Sequence, residues 1–223
     1  MRSAVIAVDG TAASGKGTLA KKLAGHFHFA HLDSGSLYRL VALGVIDAGG
    51  DPTMERHAVR AARQVNASQR DNPRIRSAEI GRAASLVSVF PGVRAALLEF
   101  QRDFAKHPPG GEQGAVIDGR DIGTVICPNA DAKLFVDARP EIRAHRRWLE
   151  FGGSGEQADE AAILKEIKER DARDANRSVS PLKPAPDALL LETSNLDIDA
   201  AFAAALALIK PKIEEALKTG AKG

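Results

Sequence analysis

Nine residues, GTAASGKGT (10–18), constrain this chain more than any others. They follow an apolar run, AVIAV (4–8), and lead into a helical pattern, TLAKKLAGHF. Gly10, Gly15 and Gly17 permit a tight turn and let the backbone approach a ligand with no Cβ in the way. The helix that follows offers unpaired N–H groups and the positive end of its dipole, both of which attract anions. Lys16 adds a charge able to reach outer phosphates. Strand, glycine loop, lysine and helix make up the P-loop arrangement, which is specific for nucleoside triphosphates but not for one reaction. The residue after Lys16 is Gly17 rather than Ser or Thr, and Thr18 comes one later. The hydroxyl that meets a magnesium shell is therefore left open.

Such a loop sits at the edge of a sheet, and the rest of the chain supplies one. AHLD (30–33), GAVID (114–118), KLFVD (133–137) and ALLLE (188–192) read as further strands. Between them SLYRLVALGVIDAG, PGVRAALLEFQRDFAKH and PEIRAHRRWLEF have helical spacing. The alternation argues for a parallel sheet with helices on both faces, and the unbroken apolar character of the strands says that both faces are covered. HPPGGEQG (107–114), FGGSGEQ (151–157) and SPLKPAPDA (180–188) read as a loop, a glycine hinge and a proline-fixed connection. The last helix, DIDAAFAAALALIKPKIEEALK, is expected to pack on the sheet and to break near Pro211.

At 223 residues the chain can bury one substantial core. A net charge of +2 projects no long-range basic field, so neither nucleic acid nor membrane is an expected partner. The single cysteine, Cys127, excludes an internal disulfide, fits a cytoplasmic location and reads as a buried structural thiol. The start, MRSAVIAVDG, has too short an apolar run for a secretory signal, and no run is long enough to span a bilayer.

Further cations cluster in three places. LDSGSLYR (32–39) closes the second strand and opens a helix, with Ser34 as the N-cap candidate and Arg39 near the first turn. A cation there opposes the dipole unless an anion is present. DGRDIG (118–123) sets Asp118, Arg120 and Asp121 at the carboxyl end of a strand, where ligands of open α/β sheets bind. Asp118 stands where such proteins often carry a metal-shell carboxylate, and Asp9 is a second candidate. In ILKEIKERDARDANR (163–177) the stripe of Ile163 and Ile167 continues in phase through Arg170, Asp174 and Arg177. An apolar stripe that turns charged without changing phase faces a polar cavity. Two polyanions brought together need this many cations, since a phosphate monoester carries about −1.5 to −2 at neutral pH.

GTAASGKGT, LDSGSLYR, AASLVSVFPGVR, DGRDIGTVICP, ERDARDANR and PLKPAPDALLLET resemble, in order, the segments of the bacterial cytidylate kinases, a family of nucleoside monophosphate kinases. Two features depart from that pattern. Residues 50–77 are shorter than in longer members, which insert a small β-rich subdomain, so that HAVRAARQVNASQRDNPRIR is expected to be helix plus loop; and Thr11 stands where proline is common. The resemblance implies a single P-loop kinase domain with a central five-stranded parallel sheet flanked by helices. Its core would be residues 1–35, 112–150 and 186–223, its monophosphate-binding region about 36–111 and its lid about 151–180.

The resemblance also implies roles. Gly10, Thr11, Ala12, Ala13, Ser14, Gly15, Lys16, Gly17 and Thr18 would hold ATP with Mg²⁺. Ser34, Arg39, Ser85, Arg94, Arg120, Asp121, Arg170 and Asp174 would bind CMP or dCMP, and Lys16, Arg120, Arg170 and Arg177 would serve catalysis, with no dedicated protein metal site. For Ser85 and Arg94 the case rests on the resemblance alone. Arg94 would donate to cytosine N3 and O2, while Ser85 or Asp121 accepts from N4. No histidine is needed as a base, because the acceptor phosphate, with a second pKa near ~6, is already ionised. A monomer acting on small nucleotides is expected. The rival readings are a P-loop kinase for another acceptor, a nucleotide switch and a nucleic-acid binder. The absence of an N-K-x-D guanine motif disfavours the switch, and aspartates interleaved among the arginines disfavour the nucleic-acid binder.

Overall fold

In a computed structural model, residues 2–150 and 159–220 are described. The glycine hinge expected at FGGSGEQ (151–157) lies outside them. The chain divides into two compact units, one running to Leu32 and resuming at Ala105, the other comprising Asp33–Phe104.

The first unit is built on five strands, β1 (Ala4–Gly10), β2 (Ala30–Asp33), β3 (Gly114–Gly119), β4 (Ala132–Asp137) and β5 (Leu189–Glu192), the last residue of β2 belonging to the second unit. All five fall within two residues of the runs read from sequence. Their order is β2-β3-β1-β4-β5, and β1 runs parallel to both β3 and β4, as β4 does to β5. The central β1 and β3 are buried almost throughout, whereas the edge strands β2 and β5 each bury only one residue fully. This is why the middle strands read as unbroken apolar runs.

Helices α1 (Lys16–Phe27) and α8 (Ile198–Gly220) pack on this sheet, with Leu19, Leu23, Ala205, Ile209 and Ile213 meeting Ile6, Val8, Leu134 and Val136 in one core. The expected break at Pro211 does not occur, since α8 runs through it. Proline removes the bond to the carbonyl four residues back, here that of Ala207. Ala207 and Pro211 are both exposed, so the proline stands on the solvent side of the helix rather than against the sheet. A further pair, α6 (Pro140–Glu150) and α7 (Glu160–Ala175), encloses its own small cluster of Ala144, Ile163 and Ile167.

The second unit is helical. It contains α2 (Ser34–Asp47), α3 (Glu55–Ala62), α4 (Ala78–Val87) and most of α5 (Pro91–Lys106), joined by two short helical turns at Ala67–Asp71 and Pro73–Arg76. Leu37, Val41, Ala58, Ile80, Val87 and Val93 form its core. Helix plus loop is thus what HAVRAARQVNASQRDNPRIR adopts, and no strand interrupts residues 34–104. No single helix among the described residues is long and apolar enough to cross a membrane.

The junction of β1 with the glycine loop is the tightest place in the sheet. A Cβ on Gly10 would lie 2.0 Å from the Val136 carbonyl oxygen on β4. Nothing lies within 4 Å of the corresponding point on Gly25, on the exposed side of α1. Gly10→Ala is expected to lower the unfolding free energy by about 3 kcal/mol through forced displacement of backbone. Gly25→Ala is expected to raise it by about 0.5–1 kcal/mol by restricting the unfolded chain. Urea titration of the two variants measures both.

Candidate functional site

The loop between β1 and α1 is shaped by its own backbone and by its neighbours. Gly15 has a φ of 86° at the N-cap of α1, and Ala13 takes the left-handed conformation, φ 58°, which a non-glycine residue adopts only when its surroundings hold it there. Those surroundings are visible, since Ala13 packs against the Ala144, Ile163 and Ile167 cluster. The Thr11 carbonyl accepts from Ser14 Oγ at 3.0 Å and from Lys16 Nζ at 3.2 Å, so the lysine folds across the loop. Thr11 Oγ1 donates to Asp137 Oδ1 at 2.6 Å, a bond that a proline at this position would lack. Thr193 Oγ1 reaches the Ser14 carbonyl at 3.2 Å.

The end of β3 meets the end of β1 in parallel register, Asp9 beside Gly119. Asp9 accepts the N–H of Ile122 at 2.8 Å and that of Gly123 at 2.7 Å, one on each carboxylate oxygen. These donors open a wide turn, Ile122–Ile126, in which Cys127 N–H returns to the Ile122 carbonyl at 2.7 Å. Asp9 is thus a brace for the turn after Arg120 and Asp121, and both its oxygens are engaged. Asp118 is placed differently. Its Oδ1 lies 2.8 Å from His31 Nε2, and its Oδ2 would be 3.7 Å from a Cβ on Gly17. His31 is thus bonded to the first residue of the DGRDIG segment. Strand β2 is the neighbour of β3 in the sheet, an adjacency that AHLD by itself does not reveal. Cys127 is half-buried rather than buried.

Arg120 and α7 meet over a buried carboxylate. Arg120 Nε donates to Asp174 Oδ2 at 2.9 Å, and Arg177 Nη1 lies 3.9 Å from Asp174 Oδ1. Asp174 is 3% exposed and Arg177 8%. Burial works against the charge of Asp174, but Arg120, Arg170 and Arg177 outweigh it and hold its pKa below the ordinary 3.8. The stripe through Ile163 and Ile167 does pass into buried charge at Asp174, and the chain leaves the helix at Ala175, two residues before Arg177. The first unit therefore gathers Lys16, Asp118, Arg120, Asp121, Asp174 and Arg177 around the carboxyl ends of β1 and β3 and the facing end of α7, with Arg170 charge-coupled to Asp174.

The second unit holds the other residues read as binding. The N-cap of α2 is Asp33 rather than Ser34, so the helix begins one place earlier than expected, with Ser34 as its first residue. Arg39 consequently sits in the second turn, where Nη1 donates to the Ile75 carbonyl at 2.6 Å beside Gly81. Ser85 lies buried on α4, and Ser88 Oγ donates to its carbonyl at 3.0 Å. Arg94 is buried, lies 5.5 Å from the centre of the Tyr38 ring and donates to the Ser88 carbonyl at 3.2 Å. The guanidinium is thus held in place by an aromatic face and a backbone carbonyl. The spacing of AASLVSVFPGVR carries no sign of it.

One buried side chain in the first unit has no signal in the sequence at all. Arg143, one of three arginines in the run RAHRR, reads as part of a solvated helix face. It is 2% exposed and bonded to three separate segments. Among the described residues no cluster of three His, Cys, Asp or Glu is arranged to hold a metal ion.

The raised pKa of Asp9 gives a measurable consequence. Burial pushes it from the ordinary 3.8 up to about 6, against the pull of the Gly123 and Ile122 N–H groups, with Asp121 adding to the rise and Arg120 opposing it. The folded state then holds this proton more tightly than the unfolded chain does, so the group favours folding in acid and loses that contribution as pH rises from about 4 to about 6. Asparagine imitates only the protonated form. The stability deficit of Asp9→Asn relative to the parent chain should be about 2 kcal/mol larger at pH 4 than at pH 7. Urea unfolding at the two pH values measures the difference.

A family model described as cytidylate kinase matches residues 6–211. Cytidylate kinases of Nitrobacter winogradskyi and Rhodopseudomonas palustris strain TIE-1 are 56% and 57% identical over 206 residues, 92% of this chain and 95% of each of theirs. That of Afipia carboxidovorans is 54% identical over 206 residues, 92% of this chain and 97% of its own. A crystal structure of an uncharacterized protein from Eubacterium ventriosum superposes with a TM-score of 0.54 at 17% identity, covering 93% of this chain and 98% of that one, a likeness of fold only. With the glycine loop, the five-stranded sheet and the buried arginine–aspartate cluster all in place, the chain belongs to the cytidylate kinase family.

Proposed function

We propose that this chain transfers the γ-phosphate of ATP to CMP or dCMP, giving ADP and the nucleoside diphosphate. The observation that carries this reading is the buried Arg120–Asp174–Arg177 cluster beside the glycine loop, in a chain of this family. Phosphoryl transfer asks the protein mainly to position two anions and offset their charge. The loop amides and Lys16 bind the donor phosphates. Arg39 and Arg120 bind the acceptor phosphate. Arg170 and Arg177, with Arg173, meet charge on the transferring group. Asp174 fixes two of these guanidinium groups and, being ionised, does not compete as a proton donor.

The residues near the loop suit a magnesium ion that keeps several of its waters. Asp118 directs one carboxylate oxygen toward Gly17, where no side chain intervenes, and Thr18 is exposed at the start of α1. Asp9 accepts one backbone N–H on each oxygen, which suits it to bracing the turn, and Asp118 is the better placed carboxylate for the ion's water shell. When bound, the ion would neutralise phosphate charge, with Asp118 and Thr18 holding its water shell.

Cytosine is read by donors for N3 and O2 and an acceptor for N4. Arg94, fixed by Tyr38 and the Ser88 carbonyl, supplies the donors, and Ser85 or Asp121 the acceptor. Uracil reverses the pattern at N3 and at its exocyclic group, leaving buried groups unpaired at about 1–3 kcal/mol each. The acceptor, the monomeric state and a cytoplasmic location belong to the same reading.

The test is release of ADP from ATP with a panel of nucleoside monophosphates. CMP and dCMP should exceed UMP in kcat/KM by about tenfold or more. Equal use of AMP, UMP and CMP would favour a kinase of another acceptor class. Lys16→Met should lower kcat by about a hundredfold or more while leaving the circular dichroism spectrum unchanged. Arg94→Met should raise KM for CMP about tenfold and that for ATP less than about twofold.

A further inference from the structure

Arg143 lies in the first turn of α6 and its side chain is 3% exposed. Its guanidinium spans three segments. Nε donates to the Ala138 carbonyl at 2.7 Å, where the chain leaves β4. Nη1 donates to the Ala12 carbonyl at 3.1 Å, inside the glycine loop. Nη2 donates to Asp171 Oδ2 at 2.6 Å, on α7. A second, apolar contact runs the same way, since Ala13, strained at φ 58°, rests on Ala144, Ile163 and Ile167 of α6 and α7. Two successive loop residues are thus seated on this helix pair, one through its carbonyl and one through its methyl group.

Stability alone does not explain this choice. Well-packed apolar side chains commonly replace a buried ion pair with no loss of stability. Asp171, moreover, is incompletely satisfied, as its Oδ1 is buried with no hydrogen-bond partner. What a guanidinium supplies and an apolar group does not is a rigid planar fork of donors at fixed angles. Asp171 adjoins Arg170 and lies one turn before Asp174, so the fork sets the rotation and height of the helix that carries both.

We propose that Arg143 is a positioning residue that locks α7 to the phosphate loop, with Asp171 as its partner, so that Lys16 and the arginines of α7 keep one register. The step this register serves rests on the kinase reading above. A displacement of about 1 Å in a reacting assembly is enough to cost a hundredfold in rate.

The experiment uses the full chain with Arg143→Met, Arg143→Lys, Asp171→Asn and the double variant Arg143→Met/Asp171→Asn. Binding of Mg²⁺·ATP and of CMP is measured separately by calorimetry, and kcat by ADP release. Arg143→Met should weaken ATP about tenfold, leave CMP within about twofold, and lower kcat by about tenfold or more. Asp171→Asn keeps the contact with Ala12, so ATP affinity should stay within about twofold while kcat falls about tenfold. The double variant should be no slower than Arg143→Met alone, because the two act through one link. Arg143→Lys, which still reaches a carbonyl, should recover part of the ATP affinity.

Equal weakening of ATP and CMP, additive losses of kcat, or a lowered melting temperature with both affinities and kcat within twofold would overturn the proposal. Should Arg143→Met fail to fold, an unchanged kcat in Asp171→Asn overturns it. Failure of the kinase reading is told apart by the parent chain. If the parent binds ATP without phosphorylating CMP, the ATP affinities of the variants still decide whether the tether holds the loop.

Discussion

Asp174 is the charge on which the cationic half of the site depends. A carboxylate taken out of water is expensive unless cations surround it, and here Arg120, Arg170 and Arg177 do so. The arrangement also works in reverse. Guanidinium groups on separate segments repel one another, and a shared anion between them lets Arg120 at the end of β3 and Arg177 beyond α7 lie close without a ligand. The protein thereby carries its own counterion within the arginine cluster. Loop, strand ends and helix follow from that choice, since each must deliver its charge to a common region while its apolar side joins the core.

Asp9 does for the backbone what Asp174 does for the side chains. The sheet brings β1 and β3 together, but parallel pairing ends where the strands end. Beyond that point, two backbone N–H groups on one buried carboxylate continue the connection into the turn that follows Arg120 and Asp121. A Cβ on Gly123 would crowd Lys133 Cδ at 3.1 Å, so the glycine leaves room for that side chain beside the turn. The two aspartates are the same residue type in different environments. One is ringed by cations and lowered in pKa. The other, bound by neutral amides and buried, is raised.

Much of this architecture is legible in the chain, for identifiable reasons. The central strands β1, β3 and β4 are legible because buried parallel strands are nearly continuous apolar runs; the edge strands β2 and β5 bury one residue each and are legible by their place between helical patterns. The glycine loop is legible because strand, glycines, lysine and helix each leave a local mark. The polar continuation of the Ile163 and Ile167 stripe is legible because helical phase carries through it. Other features depend on distant partners and leave no local mark. Arg143 and Arg147 look alike in RAHRR, yet the first is buried under the loop and the second pairs with exposed Glu150. His31 reads as one strand residue among others until β2 is placed beside β3. Ser34 and Asp33 are both good caps, and a shift of one position separates expectation from structure. Pro211 does not break α8, where it lies on the exposed side of the helix, a placement that a composition rule does not see.

Helix α6 has contacts at two heights. Arg143 engages Ala12 and Asp171, and one turn on Arg146 donates to the carbonyls of Thr193, at 2.6 Å, and Leu196, at 3.3 Å, past the end of β5. Each residue of an α-helix advances the side chains by about 100°. Adding or deleting one residue ahead of Arg143 would swing both arginines away from their partners at once. The span from β4 into α6 is therefore indexed in length.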